Sequence, residues 1–168
     1  MKKILILALI CIFSLSFSQG KLYIQNFSAY DLTMRIVGGS PTNCFPEALG
    51  SVITFPAHTQ TSFPDYNSMA SYAPNWTVRL SYTGNAIPQT APSGLLTTIS
   101  PITQWKFCWF HTMDPGTHNF TSDIDFNMGD PAFPSCPWAS GASFVDGALT
   151  DAFWFYVASE NATYLVIQ

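Results

Sequence analysis

The acidic stretch Ser122–Asp130 is the segment of the sequence whose side chains most resemble a metal-binding loop. Oxygen-bearing side chains stand at every second position: Asp123, Asp125 and Asn127. A calcium loop of the EF-hand type needs glycine at its sixth position and a bidentate acid at its twelfth. Counted from Asp123, these positions hold Met128 and Pro134. The stretch therefore does not match that loop.

The same stretch fits a β-strand with one buried face. Apolar side chains fill the positions between the polar ones: Ile124, Phe126 and Met128. Side chains two apart on a strand are separated by roughly 6.6 Å, which is poor geometry for several oxygens around one ion. We predict a strand and no metal site; the alternative is a loosely bound Ca²⁺ at the strand end, held by Asp125 or Asp130.

Histidines form one cluster, in which His111, Asp114 and His118 surround an Asp-Pro-Gly sequence. A zinc site needs three or four converging ligands, and this spacing matches no familiar zinc pattern. Asp-Pro-Gly is by itself a sufficient reason for a turn. We predict a turn and neither a metal nor a cofactor.

Signatures of covalent catalysis are missing from the sequence. It contains no Gly-x-Ser-x-Gly nucleophile elbow, and Gly38-Gly39-Ser40 lacks the lysine of a phosphate-binding loop. Pairs of acids for glycoside chemistry could still come from several carboxylates, whose separation in space would decide: Glu47, Asp123, Asp125, Asp146 and Asp151. No catalytic residue is assigned.

Residues 1–18 have the pattern of a secretory signal peptide. Lys2 and Lys3 precede an apolar run, and Ser16-Phe17-Ser18 is a small-x-small cleavage site. The run is short for a membrane span, and no second long apolar segment follows. We expect a secreted protein, periplasmic or at the cell surface if bacterial, with a single domain over residues 19–168.

Charge argues against two classes of partner. Without Lys2 and Lys3 the chain has 4 basic and 10 acidic residues, a formal charge of −6. Nucleic acid and anionic membrane surfaces both attract clustered positive charge, so we expect neither nucleic-acid binding nor membrane insertion. Charged residues make up only 10% of the chain, and neutral polar residues must solvate much of its surface.

Three cysteines remain after the signal peptide, in a compartment where disulfides form. Cys44 and Cys136 lie in proline-rich irregular segments, whereas Cys108 lies in an apolar strand. We predict a Cys44–Cys136 disulfide and a buried Cys108 thiol, with pairings through Cys108 as the alternatives. Four Asn-x-Ser/Thr sites would accept glycans only in a host that glycosylates secreted proteins: Asn26, Asn75, Asn119 and Asn161.

Short alternating runs, broken by Pro, Gly, Asn and Ser, are typical of an all-β sandwich. We predict a single antiparallel β-sandwich, jelly-roll or Ig-like, of about eight to ten strands, with long loops at residues 41–50 and 129–149. The predicted strands are Leu22–Phe27, Asp31–Val37, Ser51–Phe55, His58–Phe63, Asn75–Tyr82, Leu95–Ile99, Thr103–Thr112, Ser122–Met128, Phe153–Ala158 and Thr163–Gln168.

Two predicted strands are aromatic on both faces, although a sandwich strand buries only one. Trp105, Phe107 and Trp109 share one face of the strand Thr103–Thr112, and Trp154 and Tyr156 share one face of Phe153–Ala158. Loops, a partner chain or a ligand must cover the excess. Coplanar rings on a sheet also suit the apolar faces of sugars. The candidate ligand-binding residues are Trp105, Trp109, Trp154 and Tyr156.

These observations favour a secreted, non-catalytic protein that binds a glycan or another surface component. An oligomer, or a subunit of a larger assembly, is compatible with them. The alternatives are a small secreted polysaccharide hydrolase or lyase that uses paired carboxylates, and a structural subunit of the cell surface. An exposed aromatic strip without nearby carboxylates would favour binding. Two carboxylates about 5–9 Å apart in a cleft would favour hydrolysis.

We expect processing after Ser18, so that the exported protein begins at Gln19, because a small residue precedes that bond at the end of the apolar run. Intact-mass spectrometry of the exported protein measures this directly. Exported material that retains Met1 would contradict the assignment.

Overall fold

The computed structural model describes residues 19–131, 136 and 141–168, and most of this chain is β-structure in two sheets. The predicted signal peptide, residues 1–18, lies outside the described residues. The strands are β1 (Lys21–Asn26), β2 (Asp31–Gly39), β3 (Glu47–Gly50), β4 (Ile53–Phe55), β5 (Thr59–Phe63), β6 (Asn75–Arg79), β7 (Ile87–Thr90), β8 (Gln104–Met113), β9 (Phe126–Gly129), β10 (Phe144–Asp146), β11 (Asp151–Val157) and β12 (Ala162–Ile167). Helix α1 spans Gly94–Ile99, and 3-10 turns span Asn67–Met69 and Ser100–Ile102.

One sheet has five strands in the order β10-β11-β12-β1-β5. The other has seven, in the order β7-β6-β3-β2-β8-β9, with β4 paired to β2 beside this path. The all-β class is confirmed, but the expected purely antiparallel pairing is wrong at one place, because β1 runs parallel to β12. These are the first and last strands of the domain, so no tight turn joins them and imposes an antiparallel arrangement.

The segment Leu95–Ile99 was predicted to be a strand and is instead helix α1. The Ser93 hydroxyl oxygen caps it by accepting hydrogen bonds from the backbone N–H groups of Leu95 and Leu96, at 3.2 and 3.5 Å. Leu96 and Ile99, three residues apart, are its buried side chains. Six residues are too few for the helical period to appear in the sequence pattern.

Strands also lie inside the segments expected to be irregular. Strand β3 occupies the end of residues 41–50, and β10 lies within residues 129–149. Both are short, and β10 has no buried residue that would have produced an alternating signal. The edge strand β7 was likewise not predicted; it is short, carries Pro88 and has no buried residue.

The predicted Cys44–Cys136 disulfide is present, with the two Cα atoms 5.8 Å apart. It joins the chain before β3 to the segment between β9 and β10. Cys108 is a buried free thiol on the core side of β8, and burial raises its pKa. The thiolate form is therefore disfavoured, as expected of a packing residue.

Both sheets contribute side chains to one hydrophobic cluster. At its centre the rings of Tyr66, Trp76 and Trp105 contact one another, with centroids 5.0 to 6.5 Å apart. The Tyr66 hydroxyl donates to Thr103 Oγ1 at 2.8 Å, which satisfies its buried polar atom. A Cβ atom at Gly38 would lie 2.0 Å from that hydroxyl oxygen, so the packing requires glycine there.

Asn26, in one of the four glycosylation sequences, is fully buried. Its side-chain amide nitrogen donates to the carbonyl oxygens of Tyr30 and Pro56 at 2.7 and 3.0 Å. The folded structure therefore leaves no room for a glycan on this residue.

We expect Trp154→Ala to lower the free energy of unfolding by about 3–5 kcal/mol, because this side chain is fully buried between the sheets. Phe155→Ala is the matched control: the adjacent ring points to the other face and is 43% exposed, so its loss should cost about 1 kcal/mol. Urea denaturation of the two variants measures the difference. Equal losses would contradict this assignment of faces.

Candidate functional site

A shift in strand register separates the aromatic residues of β8 onto two faces. Val37 pairs with Phe107, but the next residue of β2, Gly38, pairs with Trp105. Lys106 is thus an extra residue on β8, and such a bulge reverses the alternation of side chains on either side of it. Trp105 consequently enters the core, whereas Phe107 and Trp109 lie on the outer face of the seven-stranded sheet.

On that outer face lies a groove of about 400 Å³. We call it the β8 groove, and its lining residues are Arg35, Val37, Glu47, Leu49, Val52, Arg79, Phe107, Trp109 and Asn127. A second depression, of about 510 Å³, shares Arg35 and Leu49 with it and extends toward β7. Binding sites for small ligands typically occupy 300–1,000 Å³, so each depression has the size of such a site.

The register of the strands determines which residues meet in the β8 groove. Asn127, Trp109 and Arg35 are direct neighbours across β9, β8 and β2. Two residues away along the strands, on the same face, lies a mainly apolar row of cross-strand neighbours. Its members are Phe107, Val37, Leu49, Thr77 and Pro88. An aromatic ring and polar side chains are thereby held beside an apolar floor by rigid strands.

Glu47 and Arg79 form an ion pair at one side of the groove. They face each other across β3 and β6, and Arg79 Nε donates to Glu47 Oε1 at 2.5 Å. The Glu47 side chain is nearly buried, whereas that of Arg79 is 39% exposed. Burial raises the pKa of Glu47 above its usual value, and the hydrogen bond and charge of Arg79 offset only part of this effect.

Arg35 is the second arginine of the groove and has no such counter-ion. Its Nε–H group is buried and donates to no acceptor among the described residues, and no ion pair with a described residue involves its guanidinium. Unpaired donors of a charged group are costly when water is displaced from them. Arg35 is therefore the group in this groove with unused binding capacity.

Trp109 is positioned by the segment that precedes β9. Its indole N–H donates to Asp125 Oδ1 at 3.2 Å, and the Asp125 backbone N–H donates to His111 Nδ1 at 2.8 Å. The His111 ring contacts Trp109 edge-on, with centroids 4.2 Å apart. These contacts hold the indole ring at the groove wall.

The structure separates the four aromatic residues predicted to bind ligand. Trp105 and Trp154 are fully buried in the core and cannot contact a ligand on the surface. Tyr156 is partly exposed on the five-stranded sheet, where its hydroxyl donates to Asn161 Oδ1 at 3.0 Å. Trp109 alone among these four lines the β8 groove. Trp154 and Tyr156 do not form an exposed strip, because that face of β11 turns inward at Trp154.

The exposed aromatic residues of the five-stranded sheet are different ones. Tyr23, Tyr164 and Phe155 lie side by side across three strands, with centroids 4.7 and 5.2 Å apart and ring planes within 9° of parallel. We call them the aromatic ladder. Both faces of Tyr164 and one face each of Tyr23 and Phe155 are covered by the neighbouring ring, so the ladder leaves one uncovered ring face at each of its ends.

The acidic stretch is only partly a strand. Strand β9 begins at Phe126, and Phe126 and Met128 are buried as predicted. Asp125 has a positive φ of 59°, which breaks the alternation before the strand. In consequence Asp123 is buried and Ile124 is exposed, the reverse of the predicted orientation.

Asp123 holds the loop that contains residues 148–150. Its carboxylate accepts hydrogen bonds from the backbone N–H groups of Ala148, Leu149 and Thr150 at 2.8 Å, and from the Thr150 hydroxyl at 3.1 Å. Burial by itself raises the pKa of Asp123, but these hydrogen bonds outweigh it and lower the pKa overall. Within the described part of the chain, no three His, Cys, Asp or Glu side chains are placed to share a metal ion.

The other candidate acids are also engaged. Asp114, in the predicted Asp-Pro-Gly turn, accepts hydrogen bonds from Thr117 and Gly116, which lower its pKa. Asp146 and Asp151 face each other across β10 and β11. Partial desolvation and a hydrogen bond with Asp146 raise the pKa of Asp151. This pair does not line the β8 groove.

Sequence analysis missed the arginines of the groove. The chain contains two, Arg35 and Arg79, and each occupies an outward position of a predicted strand. The available signal was the scarcity of charge: in a chain with so few charged residues, both arginines occupy strand positions, and the structure places these strands in one sheet. Their convergence depends on β2 and β6 lying on either side of β3, which the sequence pattern does not reveal.

Comparison of the chain with protein-family models, curated proteins and solved structures finds no match. In the part of the chain that the structure describes, no helix has the length and apolar character needed to cross a membrane. The geometry of the groove is therefore the basis for assigning a function.

We expect Glu47 to make stability depend on pH in a defined direction. Its pKa is higher in the folded protein than the ordinary value of 4.5. The stabilisation from holding this proton is fully present below pH 4.5 and is lost as the pH rises through the folded pKa. Glu47→Gln lacks this loss, so the variant should gain stability relative to the natural protein between pH 4 and pH 7, by about 1.4 kcal/mol per unit of pKa displacement.

Urea denaturation at a series of pH values measures this effect. Glu160→Gln, at the chain's other glutamate and on an exposed turn, is the control. A relative stability of Glu47→Gln that is constant, or that decreases toward neutral pH, would contradict the prediction.

Proposed function

We propose that this protein is a secreted, non-catalytic β-sandwich that binds a glycan in the β8 groove. The observation that carries the proposal is the juxtaposition of Trp109 with Arg35 and Asn127 on adjacent strands, above an apolar floor. A tryptophan ring supplies an apolar surface for the C–H face of a sugar. Guanidinium and amide groups supply the directed hydrogen bonds that sugar hydroxyls require.

The shape of the surface supports an extended ligand. The β8 groove and the depression toward β7 share Arg35, and together they border strands from β9 to β7. Six strands at a spacing of about 4.8 Å cover roughly 24 Å. Such a length accommodates several linked sugar rings. Strand backbones hold the binding residues in place, which reduces the entropy lost on binding.

The carboxylates of the groove favour binding over hydrolysis. Glycoside hydrolases use two acids that flank the scissile bond. Of the described residues that line the β8 groove, Glu47 is the one carboxylate, and it is already paired with Arg79. This arrangement supports the proposal that the β8 groove binds its ligand without hydrolysing it.

The groove is also a better sugar site than the aromatic ladder. Both ring faces of Tyr164 are covered by Tyr23 and Phe155, so a sugar could stack on the central ring of the ladder only by separating it from its neighbours. Trp109 has no stacked contact with another described aromatic ring; its contact with His111 is edge-on.

We expect Trp109→Ala to weaken glycan binding while the protein remains folded, because this side chain is only partly buried and lies at the groove wall. A glycan array with residues 19–168 identifies the ligand, and calorimetry compares the variant with the natural protein. Base-stacking on an aromatic ring is worth about 1–3 kcal/mol in nucleic acids. A comparable loss here would weaken binding roughly 5- to 150-fold.

Phe155→Ala, on the outer face of the other sheet, is the control and should bind normally. Melting temperatures of both variants separate a local effect from unfolding. The proposal fails if no saccharide on the array binds, or if Trp109→Ala binds the identified saccharide as well as the natural protein does.

A further inference from the structure

We infer that the glycan recognised by the β8 groove is acidic, and that Arg35 binds a carboxylate on one of its sugar rings. This inference rests on the proposed function and adds the chemical class of the ligand. A sugar ring with a carboxyl group at its edge, as in the uronic acids, fits the arrangement of residues best.

The first argument is the state of the Arg35 guanidinium. In the described chain it has neither a hydrogen-bond acceptor nor a counter-ion, and its Nε is already withdrawn from water. Both Nη groups remain accessible, since Nε is the one Arg35 nitrogen that is buried without a partner. A planar guanidinium with two free Nη groups matches the two oxygens of a carboxylate.

The second argument is the balance of charge in the groove. Its lining contains two arginines and one glutamate, so the groove is positive by one charge when Glu47 is ionised. The whole chain carries a formal charge of −4. Because Glu47 is bound to Arg79 at 2.5 Å, the excess positive charge is located on Arg35. A positive groove in an acidic protein favours an anionic ligand over a neutral one.

The third argument is the position of Arg35 relative to Trp109. The two residues are directly opposite each other on neighbouring antiparallel strands, with side chains on the same face. Their Cα atoms are therefore about 4.5–5.5 Å apart. A sugar that stacks on the indole ring would bring a carboxyl group at its ring edge within reach of the guanidinium. Asp125, the acid that contacts Trp109, approaches from the β9 side, away from Arg35.

The experiment compares acidic oligosaccharides with neutral ones of the same linkage. Trimers to hexamers of galacturonate, glucuronate and mannuronate, and their carboxyl-reduced counterparts, are titrated into residues 19–168. We expect at least one uronate series to bind, and to bind more tightly than its reduced form. Arg35→Gln should weaken uronate binding roughly 10- to 100-fold, the range expected for a charged hydrogen bond, and should weaken binding of the reduced form much less, because a neutral hydroxyl makes a weaker hydrogen bond to the guanidinium.

Two further variants test the geometry. Arg35→Lys keeps the charge but loses the planar fork, so it should recover only part of the affinity. The double variant Glu47→Gln with Arg79→Gln removes the other arginine without changing the net charge of the groove. This double variant should lose less affinity for the uronate than Arg35→Gln does, since Arg79 is engaged by Glu47 in the natural protein.

Nuclear magnetic resonance gives a readout that does not depend on affinity. The chain has two arginines, so the arginine Nε–H region contains two signals, which the double variant assigns. Addition of the uronate oligosaccharide should shift the Arg35 signal and leave that of Arg79 nearly unchanged. A shift of the Arg79 signal alone would overturn the inference.

The outcomes distinguish this inference from the proposed function. If neutral oligosaccharides bind as tightly as uronates, and Trp109→Ala weakens that binding, the groove is a glycan site and the inference about Arg35 is wrong. If sulfated oligosaccharides bind and uronates do not, the assignment to a carboxylate is wrong. If no saccharide of any class binds, the proposed function and the inference fail together.

Discussion

The pairing of β2 with β8 is the constraint on which the rest of the structure depends. Its register shifts between Val37 and Gly38, and this one extra residue on β8 sends Trp105 inward and Trp109 outward. Inside, Trp105 packs against Tyr66 and closes the core where Gly38 leaves room for the tyrosine. Outside, Trp109 comes to lie opposite Arg35. The core and the groove are thus two consequences of the same bulge.

Charged residues are few in this protein, and several of them form hydrogen bonds or ion pairs within the protein itself. The Asp123 carboxylate accepts the hydrogen bonds of three successive backbone N–H groups, those of residues 148–150. Glu47 is buried beside Arg79, whose exposed guanidinium keeps contact with water. Arg35 differs from both, because its charge has no internal counterpart in the described chain. That contrast is the basis for proposing that Arg35 binds a ligand.

The two sheets treat their outer aromatic residues differently. On the five-stranded sheet, Tyr23, Tyr164 and Phe155 occupy aligned positions of adjacent strands and stack on one another. Stacking covers both faces of Tyr164 and one face each of Tyr23 and Phe155. On the seven-stranded sheet, Trp109 has Arg35 and Asn127 as its cross-strand neighbours instead of other rings. Aromatic content alone therefore does not single out a candidate binding surface; the proposal depends on which residues are the cross-strand neighbours.

The sequence by itself determined the β class and the positions of most strands, because alternation and turn residues act over a few neighbouring positions. It favoured the Cys44–Cys136 disulfide without excluding other pairings, since these two cysteines lie in irregular segments and Cys108 lies in an apolar strand. It could not determine which face of an aromatic strand is buried: Trp154 and Phe155 alternate equally well in either orientation, and only packing against the second sheet decides. Nor could it place the short strand β3, and without β3 between them β2 and β6 do not bring Arg35 and Arg79 into one groove. Cross-strand proximity is a long-range property, set by sheet order and by a one-residue bulge, and the local pattern of side chains carries no record of either.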